Sequence, residues 1–242
     1  MLRNSSTGRG CGRRRHNGLD WPGCVAGRDS GCGRRGWLAL ASLEAIAILN
    51  SLGDFDALVR LAAFRLLLHS GQPVSAQDLA SATGANLAQV DASLRRMRSA
   101  GRIRSDQDGL VVGSAGLSVS KDRHEIELEG RRFWTWCAYD ILGIFGALKA
   151  SGRALSPSPS GPILEVRFEG GRPVRSDAVL FRPDDGLISC CENVYEEWCP
   201  NSNLFPDVEQ ARSWANERGI QGRVMDLHEA SDLGTSDWTE VI

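Results

Sequence analysis

Lysine is nearly missing from this chain. Of 28 Lys and Arg side chains in 242 residues, only Lys121 and Lys149 are lysine. Such a bias fits a GC-rich genome and carries no function by itself. No apolar run reaches the roughly eighteen residues that a membrane-crossing helix needs, so a membrane span is not expected. There is no C-x-x-C dithiol, and Cys11, Cys24 and Cys32 match no zinc-ligand spacing. Cys190, Cys191 and Cys199 cluster late, with only His228 nearby as a fourth ligand, which is not a recognised zinc pattern either. Seven cysteines is an odd number and shows no disulfide framework. Arg34-Arg35 before GWLALAS has the outline of an export signal, but Glu44 interrupts the apolar run too early. Reduced thiols in a cytoplasmic protein are therefore expected.

The net charge of −2 argues for no particular polyionic partner, but the charge is unevenly placed. Residues 1–36 carry eight Arg and two Asp and have no periodic apolar face, which predicts a disordered Gly/Arg-rich tail. The remainder is mildly acidic, with an ordinary hydrophobic share of 42%, as a globular α+β protein would have.

Residues 38–50 and 54–69 read as helices. Ser75 is a helix cap for a short helix ending at Gly84, and 86–101 is a longer helix with Leu87, Val90, Leu94 and Met97 inward. Two strand-like pieces follow, joined at Asp108-Gly109. Helix, turn, longer helix and hairpin is the order of a winged helix, so residues 37–123 are expected to be a winged-helix-like domain. Arg95, Arg96, Arg98, Arg102 and Arg104 would lie along its second helix and wing, as a phosphate-binding surface requires. Base readout would need more than Asn86 and Gln89 at the helix start. Nucleic acid is therefore not the expected partner.

Residues 124–242 are expected to form a mixed α/β domain with a small, mainly antiparallel sheet. HEIELEG (124–130) alternates as a strand. FWTWCAYDILGIFGALKASG reads as a helix of about fifteen residues, and ALSPSPSGP (154–162) as a loop. ILEVRFEGGRPV is a hairpin, AVLFRP a strand, and 188–205 irregular. DVEQARSWANERG is a helix capped by Asp207, and RVMDLHEA (223–230) a closing strand. Within FWTWCAYDIL, Cys137 and Asp140 are three residues apart. On one helix they would share a face, placing a thiol beside a carboxylate in apolar surroundings where an unpaired charge is costly. A thiol and a carboxylate so placed can exchange a proton; a buried thiol beside a solvent-facing Asp is the simpler alternative.

GQPVS (71–75), the wing, EGRRFWTWCAYDIL (129–142), CPNSNLFPDVEQARSW (199–214) and HEA (228–230) together resemble the organomercurial (alkylmercury) lyase family, from about residue 38 to 235. The resemblance implies protonolysis of the carbon–mercury bond by Cys137, Asp140 and a second cysteine. Counted back from Phe205 and Trp214, Cys199 stands at the family's distance, so the resemblance implies Cys199 in preference to the Cys190-Cys191 doublet. It further implies that Cys137 takes mercury first, that Asp140 carries the proton, and that Cys199 adds the second thiolate, so that these three residues hold the metal. Phe133, Trp134, Trp136 and Tyr139 would exclude water and raise the Asp140 pKa. No organic cofactor is implied. External thiols would remove Hg(II), with a mercuric reductase as a candidate recipient. His228 is expected to be a satisfied structural histidine. The alternatives are a non-catalytic winged-helix soft-metal or thiol sensor, a DNA-binding regulator, or a relative turned to another substrate.

Overall fold

A computed structural model of the chain describes residues 54–239 and 241–242. The expected tail at 1–36 and the helix at 38–50 lie outside the described residues. Helix α1 (Phe55–Ser70) begins at Asp54, whose carboxylate accepts from the Ala57 amide at 3.0 Å. Helix α2 (Ala76–Thr83) and helix α3 (Leu87–Ser99) each open with a capping box, Ser75 with Asp78 and Asn86 with Gln89. Their inner faces bury Leu79, Val90, Leu94 and Met97 against Phe64 and Leu67 of α1. Leu87, expected inward, is 43% exposed because it sits at the first helical position, before the core-facing stripe.

Strands β1 (Ile103–Ser105) and β2 (Val111–Ser114) form the expected hairpin, and Val74 bridges to Val111 beneath the helices. β3 (Leu117–Ser118) pairs with β2 and with β5 (Arg131–Thr135), so the sheet runs unbroken past residue 123. With β4 (His124–Leu128), β6 (Gly152–Pro157), β7 (Ile163–Glu169) and β8 (Arg172–Pro173), it has eight strands, ordered β1-β2-β3-β5-β4-β6-β7-β8, all antiparallel. That is a larger sheet than expected. A second, three-stranded sheet has β9 (Val179–Pro183) between β10 (Asn203–Phe205) and β11 (Gly222–Asp226). Helix α4 (Ala138–Leu148) is buried along almost its whole length. Helices α5 (Asp185–Cys190), α6 (Val208–Arg218) and α7 (Leu227–Thr239) complete the architecture. α6 is capped by Asp207 as expected and covers a small core of Phe181, Phe205 and Trp214. Among the described residues no helix is long and apolar enough to cross a membrane.

Three local readings are corrected. Phe133–Thr135 belong to strand β5 and not to the helix, because an aromatic and β-branched run alternates inward and outward against β4. Ala154–Pro157 are strand and not loop: Ala154 and Ser156 face inward, and Pro157 pairs only with Ile163, beyond the end of β4, where its missing N–H costs no ladder bond. HEA (228–230) is helical. Asp226 ends β11 and its Oδ1 accepts from the amides of His228 and Glu229, capping α7. His228 is exposed and its ring makes no hydrogen bond among the described residues, so it is not the satisfied structural histidine expected.

Candidate active site

The site lies where β5 gives way to α4. Trp136 is tied by its amide to the Gly116 carbonyl at 3.1 Å, and the next residue, Cys137, takes an extended backbone as the helix cap. Asp140 stands at the third helical position and its Oδ2 accepts from the Cys137 amide at 2.8 Å. The two residues therefore meet through a capping box and not as neighbours on one helical face. The predicted contact stands; its geometry is that of a helix start.

Cys199 arrives from far along the chain. A single π-turn, Val194–Trp198, leads into the short 3-10 turn Cys199–Asn201. The Ser202 amide bonds to the Cys199 carbonyl at 3.2 Å, and the Ser202 carbonyl accepts from the Ala138 amide at 3.1 Å. That second bond fastens the Cys199 turn to the free amides at the start of α4, groups every helix must satisfy. One ligand atom each from Cys137, Asp140 and Cys199 then lies within 4.8 Å of the others, all three residues buried. Among the described residues no other trio of His, Cys, Asp or Glu is so placed. Cys190 is exposed, and half-buried Cys191 turns its thiol to the Ile188 carbonyl at 3.3 Å.

Burial sets the electrostatics. It raises the Asp140 carboxyl from 3.8 to about 7, against the hydrogen bonds from Cys137 that favour the anion. Burial, with the Cys199 hydrogen bond and the Asp140 charge behind it, pushes the Cys137 thiol well above its ordinary value. Cys137 is thus a protonated thiol next to a carboxyl that can hold or release a proton near neutrality. Gly116 makes room for that carboxyl: its φ is +83°, and a Cβ there would stand 2.4 Å from Asp140 Cγ.

A cavity of about 220 Å³ opens onto Asp140 and Cys199. Cys137 does not line it; it lies behind, with no exposed surface. Trp136, Tyr139, Trp198 and Trp238 form the aromatic walls. Of the four aromatics expected at the site, Trp136 and Tyr139 are there. Phe133 is packed in the core of the sheet and Trp134 is half-buried on the opposite face of β5. Tyr139 donates to Asp237 at 2.7 Å, and the Trp238 indole donates to the Ala115 carbonyl at 3.0 Å, so α7 closes one side. Asp237, Trp238 and the cavity arginines Arg60 and Arg182 escaped sequence reasoning, and Arg102 was read only as part of a phosphate-binding surface. Trp198, whose position beside Cys199 parallels Trp136 beside Cys137, carried a visible signal.

Two buried thiols and one proton-exchanging carboxyl, walled by aromatics, define a centre for a soft metal that must be handled together with a proton. The family model described as alkylmercury lyase matches residues 117–239, which include all three residues. The chain is 28% identical over 174 residues to an alkylmercury lyase of Staphylococcus epidermidis, covering 69% of this chain and 76% of that one. A Bacillus cereus alkylmercury lyase is 26% identical over 178 residues, covering 69% and 75%. Among solved structures, the mercury-bound form of MerB2 aligns with a TM-score of 0.69 at 25% identity, covering 81% of this chain and 96% of that one. The chain belongs to the alkylmercury lyase family.

Proposed function

We propose that the chain cleaves the carbon–mercury bond of organomercurials, releasing a hydrocarbon and Hg(II), with Cys137, Asp140 and Cys199 as the reacting groups. The observation that carries this reading is the buried thiol–carboxyl–thiol cluster with Asp140 near neutrality. A carbon–mercury bond resists water, so breaking it takes electron donation to mercury and a proton for the departing carbon. Cys199 faces the cavity and takes mercury first, reversing the order expected from the family resemblance, because Cys137 is screened behind it. The Cys199 proton leaves with the thiolate that the mercurial carried in. Cys137 then gives its proton to Asp140 and binds mercury as the second thiolate. Asp140 passes the proton to the carbon, the hydrocarbon departs, and Hg(II) stays on two sulfurs. Two external thiols exchange for the enzyme thiols, restoring both protons and removing Hg(II), which a mercuric reductase could receive. No organic cofactor enters this sequence.

We also read residues 37–123 as the winged-helix-like part, supported within the described residues by the order α1, α2, α3, β1, β2. The boundaries remain as read from the sequence, with 124–242 as the catalytic part. The cytoplasm suits thiols that must stay reduced. The sensor and DNA-binding readings are weaker: Arg96 and Arg104 are engaged with Asp56 and Asp122, and Arg98 with Ser105 and the Gly109 carbonyl. A sensor also has no use for Asp140. Single-turnover assay of phenylmercury for benzene tests the reading. Stoichiometric mercury binding without benzene would assign the sensor class instead.

A further inference from the structure

Two arginines in the cavity have no anionic partner among the described residues. Arg60, from α1, and Arg102, between α3 and β1, both line the space that Asp140 and Cys199 face. Arg60 is half-buried, and its Nε has neither solvent nor a hydrogen-bond partner. Burial pulls its pKa down, and the nearby Arg102 charge adds to the fall, with Asp54 offsetting part of it at a distance. Arg182, the third arginine of the cavity, is matched with Asp185. Among the described residues no ion pair involves Arg60 or Arg102. Asp237, also on the cavity wall, is taken up by the Tyr139 hydroxyl. Two like charges, one of them short of water, persist together at a cost that a bound anion would remove.

We propose that Arg60 and Arg102 form a carboxylate subsite, selecting mercurials that bring a carboxylate into the cavity on the organic group or on the accompanying thiolate. The proposal rests on the lyase reading. Mercury at Asp140 and Cys199 anchors one end of the substrate, and the planar guanidinium groups receive the other, a geometry that suits a carboxylate. A cavity of about 220 Å³ admits one small group between them and little more.

The test compares substrates that differ only by the carboxylate. In one arm, phenylmercury and 4-carboxyphenylmercury are assayed with neutral 2-mercaptoethanol, following benzene and benzoate. In the other, methylmercury is assayed with 2-mercaptoethanol or with mercaptoacetate, following methane. Wild type should prefer the carboxylated member of at least one pair by about tenfold in kcat/KM, the worth of one charge-assisted contact. Arg102→Gln should bring that ratio close to one and Arg102→Lys should restore part of it. Arg102 is exposed, so these variants should fold, which melting curves check. The arm that shows the preference identifies which part of the mercurial carries the carboxylate. Equal rates in both pairs, or a preference that Arg102→Gln leaves intact, would overturn the subsite while the lyase stands. Absence of hydrocarbon from every substrate would instead remove the lyase reading on which the subsite rests.

Discussion

A carboxyl held near pH 7 by burial has a signature in stability as well as in catalysis. Folded, Asp140 keeps its proton to about pH 7; unfolded, it releases it near 3.8. Between those values the native state binds more protons, so its contribution to stability falls as pH rises from about 4 to about 7, and is level above. Asp140→Asn keeps an oxygen for the Cys137 amide but has no charge to bury. Its melting temperature should exceed that of wild type by a margin that grows from pH 5 to about pH 7 and is level above it. A margin independent of pH would mean that the carboxyl titrates in the ordinary range. In catalysis, Asp140→Ala should lower hydrocarbon release by about 10²–10⁴-fold, the usual worth of a positioned proton carrier. Cys137→Ser and Cys199→Ser should each remove turnover, while Cys190→Ser/Cys191→Ser should keep it, since neither of those thiols belongs to the buried cluster. Gly116→Ala puts a methyl group against Asp140 at a positive φ. It should cost about 1–3 kcal/mol of stability in urea titration, and activity along with it.

Helix α4 holds the site because it is pinned at both its start and its side. Its first turn is fastened to the Cys199 turn through Ala138 and Ser202, and its flank meets α7 at Gly143, Gly146 and Gly234. A Cβ on Gly143 would stand 2.4 Å from the Trp238 ring. Gly143→Ala should therefore destabilise the fold by about 1–3 kcal/mol and loosen the Trp238 wall, raising KM more than it lowers kcat. The same elements show what the sequence made legible. Ser75, Asp207 and the hairpin at Gly170-Gly171 could be read because caps and turns are local chemistry. The contact of Cys137 with Asp140 could be read because both a helix face and a capping box bring residues three apart together. The strand–helix break just before Cys137 could not, since the aromatic run suits either state. α7 was missed because Gly234 and the small polar residues around it weaken helix propensity, and their use lies in close packing with α4.

Across the whole molecule, the site depends on contacts that no local pattern reveals. Cys199 reaches Cys137 only because the second sheet and its turns deliver it, and family resemblance, not spacing, selected it from three candidate cysteines. The continuous eight-stranded sheet joins the helical first part to β5, so β3 both supports the strand that leads to Cys137 and carries Gly116 at its edge. The chemistry proposed for this assembly consumes two enzyme thiols per mercurial, so turnover must depend on external thiol. Without it, hydrocarbon should stop at one equivalent per chain. The most direct measurement is headspace chromatography of methylmercury incubated with the purified chain and excess small thiol. The account predicts methane in many-fold excess over protein, lost in Asp140→Ala. Mercury bound tightly at one equivalent with no methane released would contradict it.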